Sequence, residues 1–510
     1  MASTSIQTAS TAAVLQTEIP GPHSQRLQAA SHYLTETILY PTIKQPLQKW
    51  FFENTTQTLC RGIDFSDRNV TLLITGYVQE DGLGDWALML HAARVIQEKF
   101  PSFKIIIGAE VQGLSTRRDR FTSEEVTAFV WGVKDKRMGT VNFEDPDRDR
   151  IERDKCIEAA SRATMVIELP HTSQNSSITF DSVAIPTVRI FESGAVAADL
   201  NTLLHMRESA APFGLGVSTF ESGLIWKAPL ESDVELSSLE DEWLKNILLD
   251  SSREDHILHF GYLHYASVHF IAACIAADEH NPKGTIDIIV SDNFSNPEKI
   301  ISAIQYLECF PEIKEIQAWK KDSIDKTTLY TSAIEKGISI RLINPFPIPN
   351  RDMHKLIVCS SGFIGCTGEV SLAEVLSYKR LPFYEVRGFK MPFLKSLTQI
   401  AREQKTNRFS PLVQYLELLE RGAYQLIPEY VNDPALFEEL NQFCTHLKKE
   451  YDFNTFLTDI VMTRLGMHFF PKLKEIRNDL LEAFLKNEKT LSECYQEIER
   501  YCDQFDFVNV

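Results

Sequence analysis

The chain has 510 residues, 44% of them hydrophobic and 24% charged, with a formal net charge of −18. That length exceeds one ordinary hydrophobic core and predicts two or three domains. The acidic balance excludes a general nucleic-acid binder, because phosphate recognition needs a basic face.

Residues 1–22 are rich in Ser, Thr, Ala and Gln and read as a mobile tail. Residues 23–60 read as helical, with Leu27, Leu34, Leu39 and Leu47 among polar neighbours. The texture then changes. Val70 to Thr75 is a short continuous apolar run, the pattern of a strand buried on both faces. A helix is predicted from Trp86 to Lys99. Strands are predicted at Lys104 to Gly108, Val126 to Trp131, Thr164 to Glu168 and Thr187 to Ile190. The charged stretch Lys134 to Lys155 reads as a loop leading into a helix. Strands alternating with helices imply βαβ units and a parallel sheet.

Around Glu231 to Asp255 the chain turns polar and acidic, which marks a lobe boundary. The second half repeats the grammar: strand His256 to Tyr262, helix Ser267 to Asp278, and strands Thr285 to Val290, Ile338 to Leu342 and Leu356 to Cys359. A glycine loop, a helix and the strand Leu381 to Glu385 follow, and from about Leu394 the chain reads as helical to Tyr501. The expected fold is α/β: two facing, Rossmann-like doubly wound lobes with helical additions at both ends. Its parts are a tail and helices (1–66), a first Rossmann-like lobe (67–250), a second Rossmann-like lobe (251–400) and a C-terminal helical region (401–510). Such sheets bind ligands at the carboxyl ends of their strands.

Nine cysteines are scattered with no C-x-x-C pair, which predicts reduced thiols rather than disulfides or a zinc site. No run of 18 apolar residues predicts a membrane span. The first residues lack the pattern of a secretory signal. A cytoplasmic location is the expectation.

Two loops carry the chemistry. Asp81-Gly82-Leu83-Gly84-Asp85 lies between a strand and a helix. Its glycines allow a tight turn and close approach to a ligand. Asp81 and Asp85 could orient an acceptor, and one could remove its proton. The run also fits G-x-G-x-x-A through Ala87, with Glu110 ending the next strand, a dinucleotide fingerprint. Against that stand six residues between the strand and Gly82, and two acids that would repel a pyrophosphate. A glycine turn with solvated acids is the plain alternative.

The second loop is Gly365-Cys366-Thr367-Gly368-Glu369-Val370-Ser371. Ser371 in the first turn of a helix could donate to a phosphate, helped by backbone N–H groups. Glu374 could accept from ribose hydroxyls, and Glu369 could serve a sugar hydroxyl or a cationic acceptor. The plain alternative is a capping box made by Ser371 and Glu374.

Taken together, these motifs resemble GT-B glycosyltransferases. Gly82-Leu83-Gly84-Asp85 running through to Phe100-Pro101 is similar to the heptosyltransferase pattern. A closer resemblance is to the elongation-factor-P arginine rhamnosyltransferases. Asp81 to Asp85 has the spacing of their D-N-F-G-D, and Phe260-Gly261-Tyr262 resembles their F-C-Y. Pro345-Phe346-Pro347-Ile348-Pro349-Asn350 resembles P-F-x-P-Q, and Gly368-Glu369-Val370-Ser371-Leu372 resembles G-E-D-S-F. Leu381-Pro382-Phe383-Tyr384 matches the following strand. The resemblance implies Phe260 and Tyr262 at the base, and Asn350, Gly368, Ser371 and Glu374 at the donor. It also implies Asp81, Asp85 and Glu369 in catalysis. Val370 and Asn350 depart from that pattern, and residues 400–510 have no counterpart in it.

Other candidates are His171, Arg189 and Glu192 at predicted strand ends. Arg387 or Lys390 could neutralise a leaving diphosphate, and Arg117, Arg118 and Arg120 form a small basic patch. The function implied is a metal-independent, inverting glycosyltransferase. It would use a nucleotide-diphosphate sugar as substrate, no cofactor, and a protein side chain or small molecule as acceptor. The rivals are an epimerase of the same fold and a catalytically degenerate protein-binding scaffold. The composition of the two termini resembles that of bacterial effectors exported into host cells.

Overall fold

The computed structural model describes residues 65–78, 83–116, 118–134, 142–171, 185–191, 212–215, 217, 222–227, 234–249, 256–278, 284–292, 294–321, 326–335, 337–386, 390–404, 410–431 and 433–490, with 493, 494, 496, 497 and 500. The tail and helices expected before residue 65 lie outside the described residues, as do Asp81 and Gly82.

Two compact units divide the chain. The first takes the residues up to Gly223 and resumes at Lys449, and the second is the continuous stretch Leu224–Lys448. The helices after residue 400 therefore divide between the units instead of forming a region of their own.

The first unit holds six parallel strands: β1 (Thr71–Val78), β2 (Lys104–Gln112), β3 (Thr127–Val133), β4 (Met165–His171), β5 (Thr187–Phe191) and β6 (Pro212–Gly214), in the order β3-β2-β1-β4-β5-β6. Leu72, Leu73 and Ile74 are fully buried in β1, as a central strand covered on both faces requires. Helix α1 (Leu83–Lys99) joins β1 to β2, and α2 (Pro146–Ser161) joins β3 to β4. These connections step in opposite directions, so right-handed crossovers put the two helices on opposite faces. The glycines record this. A Cβ on Gly76 would meet Met89 of α1, and one on Gly108 would meet Cys156 of α2. Arg118, from the sequence's basic patch, pairs at 2.7 Å with the fully buried Asp149. That carboxylate also accepts from the backbone N–H of Asp145, just before α2.

The second unit holds β7 (His256–Gly261), β8 (Thr285–Val290), β9 (Ile313–Lys320), β10 (Thr327–Thr331), β11 (Ile338–Asn344), β12 (Phe363–Cys366) and β13 (Leu381–Tyr384). Their order is β10-β9-β11-β8-β7-β12-β13, and only β10 runs antiparallel to its neighbour. The helices of this unit are α3 (Glu242–Leu248), α4 (Ser267–Ala277), α5 (Pro297–Ile304), α6 (Asn350–Cys359), α7 (Glu369–Ser377), α8 (Met391–Gln404) and α9 (Pro411–Glu420), and α10 (Pro434–Glu450) runs to its end. Across the sheet Arg341 grips the fully buried Asp287 with two bonds of 2.6 and 2.7 Å. The chain then re-enters the first unit. There α11 (Phe453–Phe469) packs on α1, with Asn454 bonded to His91 at 2.7 Å, and α12 (Pro471–Leu485) follows.

Two expectations are corrected. Leu356 to Cys359 is the last turn of α6, not a strand. Asp352, Leu356 and Ile357 are the buried positions, at helical spacing after Pro349. Gly365 and Cys366 are not loop but the end of β12. The strands β6, β9, β10 and β12 were not anticipated. β9 and β10 bury only alternate or few residues, so their apolar signal is weak.

Candidate functional site

In the second sheet β8 lies on one side of β7 and β12 on the other. The connection after β7 steps to the β8 side, while the connection from β11 crosses to β12. The strand order thus reverses between β7 and β12, the place where doubly wound sheets leave a crevice at their carboxyl ends. Gly261 and Gly365 face each other there. A Cβ on Gly365 would lie 2.8 Å from the Gly261 Cα, and one on Gly261 would lie 2.7 Å from the Phe270 ring of α4. Only glycine lets these strands close up.

Beyond β12 the chain makes one turn into α7, capped by Gly368. The Ser371 hydroxyl accepts from the Gly368 N–H at 2.9 Å and donates to the Gly368 carbonyl at 2.9 Å. The capping box therefore joins Gly368 to Ser371, one turn earlier than the expected Ser371–Glu374 pairing. First-turn N–H groups of a helix have no intrahelical acceptor and carry the positive dipole end. Lys390, only 9% exposed, adds a full charge here. Its Nζ donates to the Thr367 carbonyl at 2.6 Å and stands 3.7 Å from a Glu369 carboxylate oxygen. A Cβ added to Gly368 would lie 3.8 Å from that Nζ, an ordinary contact distance, so Gly368 adjoins the ammonium. The Thr367 hydroxyl is buried with no hydrogen-bond partner among the described residues.

Glu374 sits deeper than its expected role at a ribose requires. It is 6% exposed, bonded to His354 at 3.2 Å and paired with Lys227 at 3.4 Å. Burial pushes its carboxyl up, but the His354 hydrogen bond and the Lys227 charge outweigh that and hold it below the ordinary carboxylate value. His354 is in turn bonded to the Tyr378 hydroxyl at 3.2 Å. Burial and the nearby Glu374 charge push that phenol up to about 12.

Phe260 is also corrected. At 1% exposure its ring belongs to the core and offers no face to a base. Tyr262 is half-buried, with its ring centroid 5.3 Å from that of the half-buried Phe346. Phe346 is the aromatic neighbour that the sequence placed in a motif without a role. Asn350 is exposed at the start of α6, after the carboxyl end of β11.

In the first unit the order reverses between β1 and β4. The loop after β1 leads into α1, whose first turn holds a half-buried Asp85. β1 runs on to Val78, so three residues, not six, separate it from Gly82. Glu168, 2% exposed, pairs with Arg189 at 2.7 Å. Glu110 is buried in β2. His171 closes β4, and its side chain, like Glu192 and Arg387, lies outside the described residues. Among the described residues no His, Cys, Asp or Glu group is gathered to hold a metal ion.

No family model matches the chain, and no curated protein matches it. Solved structures similar to it include a glycosyltransferase from Rickettsia africae, with a TM-score of 0.39 at 11% identity over 79% of this chain and 99% of that one. An α-glucosyltransferase in complex with UDP and a 13-mer DNA gives 0.36 at 11% identity over 80% and 100%. MurG of Acinetobacter baumannii gives 0.34 at 11% identity over 73% and 95%.

Proposed function

We propose that the chain is a glycosyltransferase that takes a sugar from a nucleotide-diphosphate donor held at the second unit's switch point. One observation carries this. At the β7–β12 crevice the ammonium of the buried Lys390 and the N-terminus of α7 converge beside Gly368. Convergent positive charge at a helix N-terminus suits a diphosphate. The pair Tyr262 and Phe346 lies along the same sheet edge and offers an apolar surface for a base.

In this reading the acceptor's hydroxyl or amide attacks the anomeric carbon and loses its proton to a carboxylate base, the role the sequence resemblance gives to Asp81 or Asp85. The bond from that carbon to the diphosphate oxygen breaks, and its electron pair leaves with the phosphate. Lys390 and the α7 N–H groups stabilise the charge that develops there. Direct attack inverts the anomeric centre. The lysine takes the part a metal plays elsewhere, so turnover should persist in EDTA. Glu369, beside Lys390, is assigned to a sugar hydroxyl or cationic acceptor, with a protein side chain as one acceptor class.

A thermal-shift and calorimetric screen of UDP, TDP, GDP and their sugars tests the reading. Stabilisation by at least one nucleoside diphosphate is expected, with release of that nucleoside diphosphate when donor and acceptor are supplied together. A panel in which none binds refutes it. Sugar conversion without any acceptor would instead identify an epimerase.

A further inference from the structure

The four residues after Gly261 are anchored amide by amide. The Tyr262 N–H donates to the Gly365 carbonyl of β12 at 2.9 Å. The Leu263 N–H donates to the Ser291 hydroxyl, just past β8, at 3.2 Å, and that hydroxyl donates back to the Leu263 carbonyl. The His264 and Tyr265 N–H groups both donate to the Glu385 carboxylate, at 2.7 and 2.6 Å. Glu385 follows β13 and is 4% exposed, so it spans β12 to reach the loop after β7. A buried carboxylate is costly unless its lone pairs are met. Here each oxygen accepts one backbone N–H.

What this loop displays contrasts with how tightly it is held. Tyr265 is 78% exposed, His264 is exposed, and the ring centroids of Tyr262, His264 and Tyr265 follow one another at 5.7 and 6.3 Å. Exposed aromatic side chains on an ordinary loop lose much of their binding energy to ordering. A loop fixed beforehand by four backbone bonds avoids that loss. The row of rings leaves the β7 end of the same crevice that holds Lys390.

We infer that Glu385 is a positioning residue that holds the 262–265 loop and its aromatic row in the conformation that receives the donor. It touches no substrate and acts through the backbone of His264 and Tyr265. This rests on the nucleotide-diphosphate reading above.

The test is Glu385→Gln in the full chain. The amide keeps its shape, but one lobe now donates where an N–H already donates. Hydrogen exchange at the His264 and Tyr265 amides should rise at least tenfold. Affinity for the nucleoside diphosphate that binds the wild type best should fall about tenfold, and for its sugar donor KM should rise while kcat holds. Ser291→Ala, which frees only Leu263, should give a smaller change in the same direction and serves if Glu385→Gln fails to fold. Unchanged exchange overturns the clamp, and loosened amides with wild-type affinity overturn its role in binding. If the wild type binds no diphosphate, the donor reading fails and its binding role with it, while the exchange data still decide whether Glu385 holds the loop.

Discussion

Lys390 is held by a carbonyl oxygen and a carboxylate, so its ammonium is fixed before any ligand arrives. Lys390→Met should therefore weaken diphosphate binding roughly 10- to 100-fold in calorimetry, the size expected for a charge-assisted contact. It should change uridine binding far less. Ser371→Ala should lower stability by about 1 kcal/mol, read from urea midpoints, because the hydroxyl closes the first turn of α7. Glu374 supplies a pH test. Its folded carboxyl lies below the ordinary value, so its stabilisation is fully present above that value and is lost as pH falls through the lowered one. Glu374→Gln should be less stable than wild type near neutrality, and the gap should narrow as midpoints are followed into acid. The sequence put Gly368 and Ser371 on one loop and offered Arg387 or Lys390 as a cation for a diphosphate. It did not show Glu374 turned inward or Phe260 buried, because both depend on packing from helices distant in the chain.

Strands and helices of high apolar density were legible. β1, β2 and β8 fall where runs of Ile, Val and Leu stand, while β7 and β11 are apolar strands broken by polar residues. α6 was misjudged because Leu-Ile-Val in its last turn mimics a buried strand. Pro349 and the spacing of Asp352, Leu356 and Ile357 were the contrary signal. β12 was hidden by its four-residue length and by Gly365. That glycine is also the element most exposed to test. Gly365→Ala drives a methyl against the Gly261 Cα and the Leu263 side chain. It should cost about 1–3 kcal/mol in denaturation midpoints, the usual range for overpacking, and it should widen the crevice that the diphosphate is proposed to enter.

Across the molecule, the pattern predicted two mainly parallel sheets, and both are present, the second with one antiparallel edge strand. What composition could not convey is which unit the last helices join. Their apolar faces read alike, while α11 packs on α1 through pairs such as Asn454 with His91. Residues 224–448 should fold as an isolated fragment with a cooperative thermal transition. Residues 65–223 alone should not, and adding 449–510 in trans should restore the transition. The return of the chain also sets an order of events at the ribosome. The first unit is begun early but lacks its covering helix until the last sixty or so residues emerge. At ~5–20 residues per second the intervening unit takes roughly 10–45 seconds to make. During that interval the second unit can finish folding while the earlier sheet waits with one helix uncovered, a client for whatever chaperone meets it at the exit tunnel.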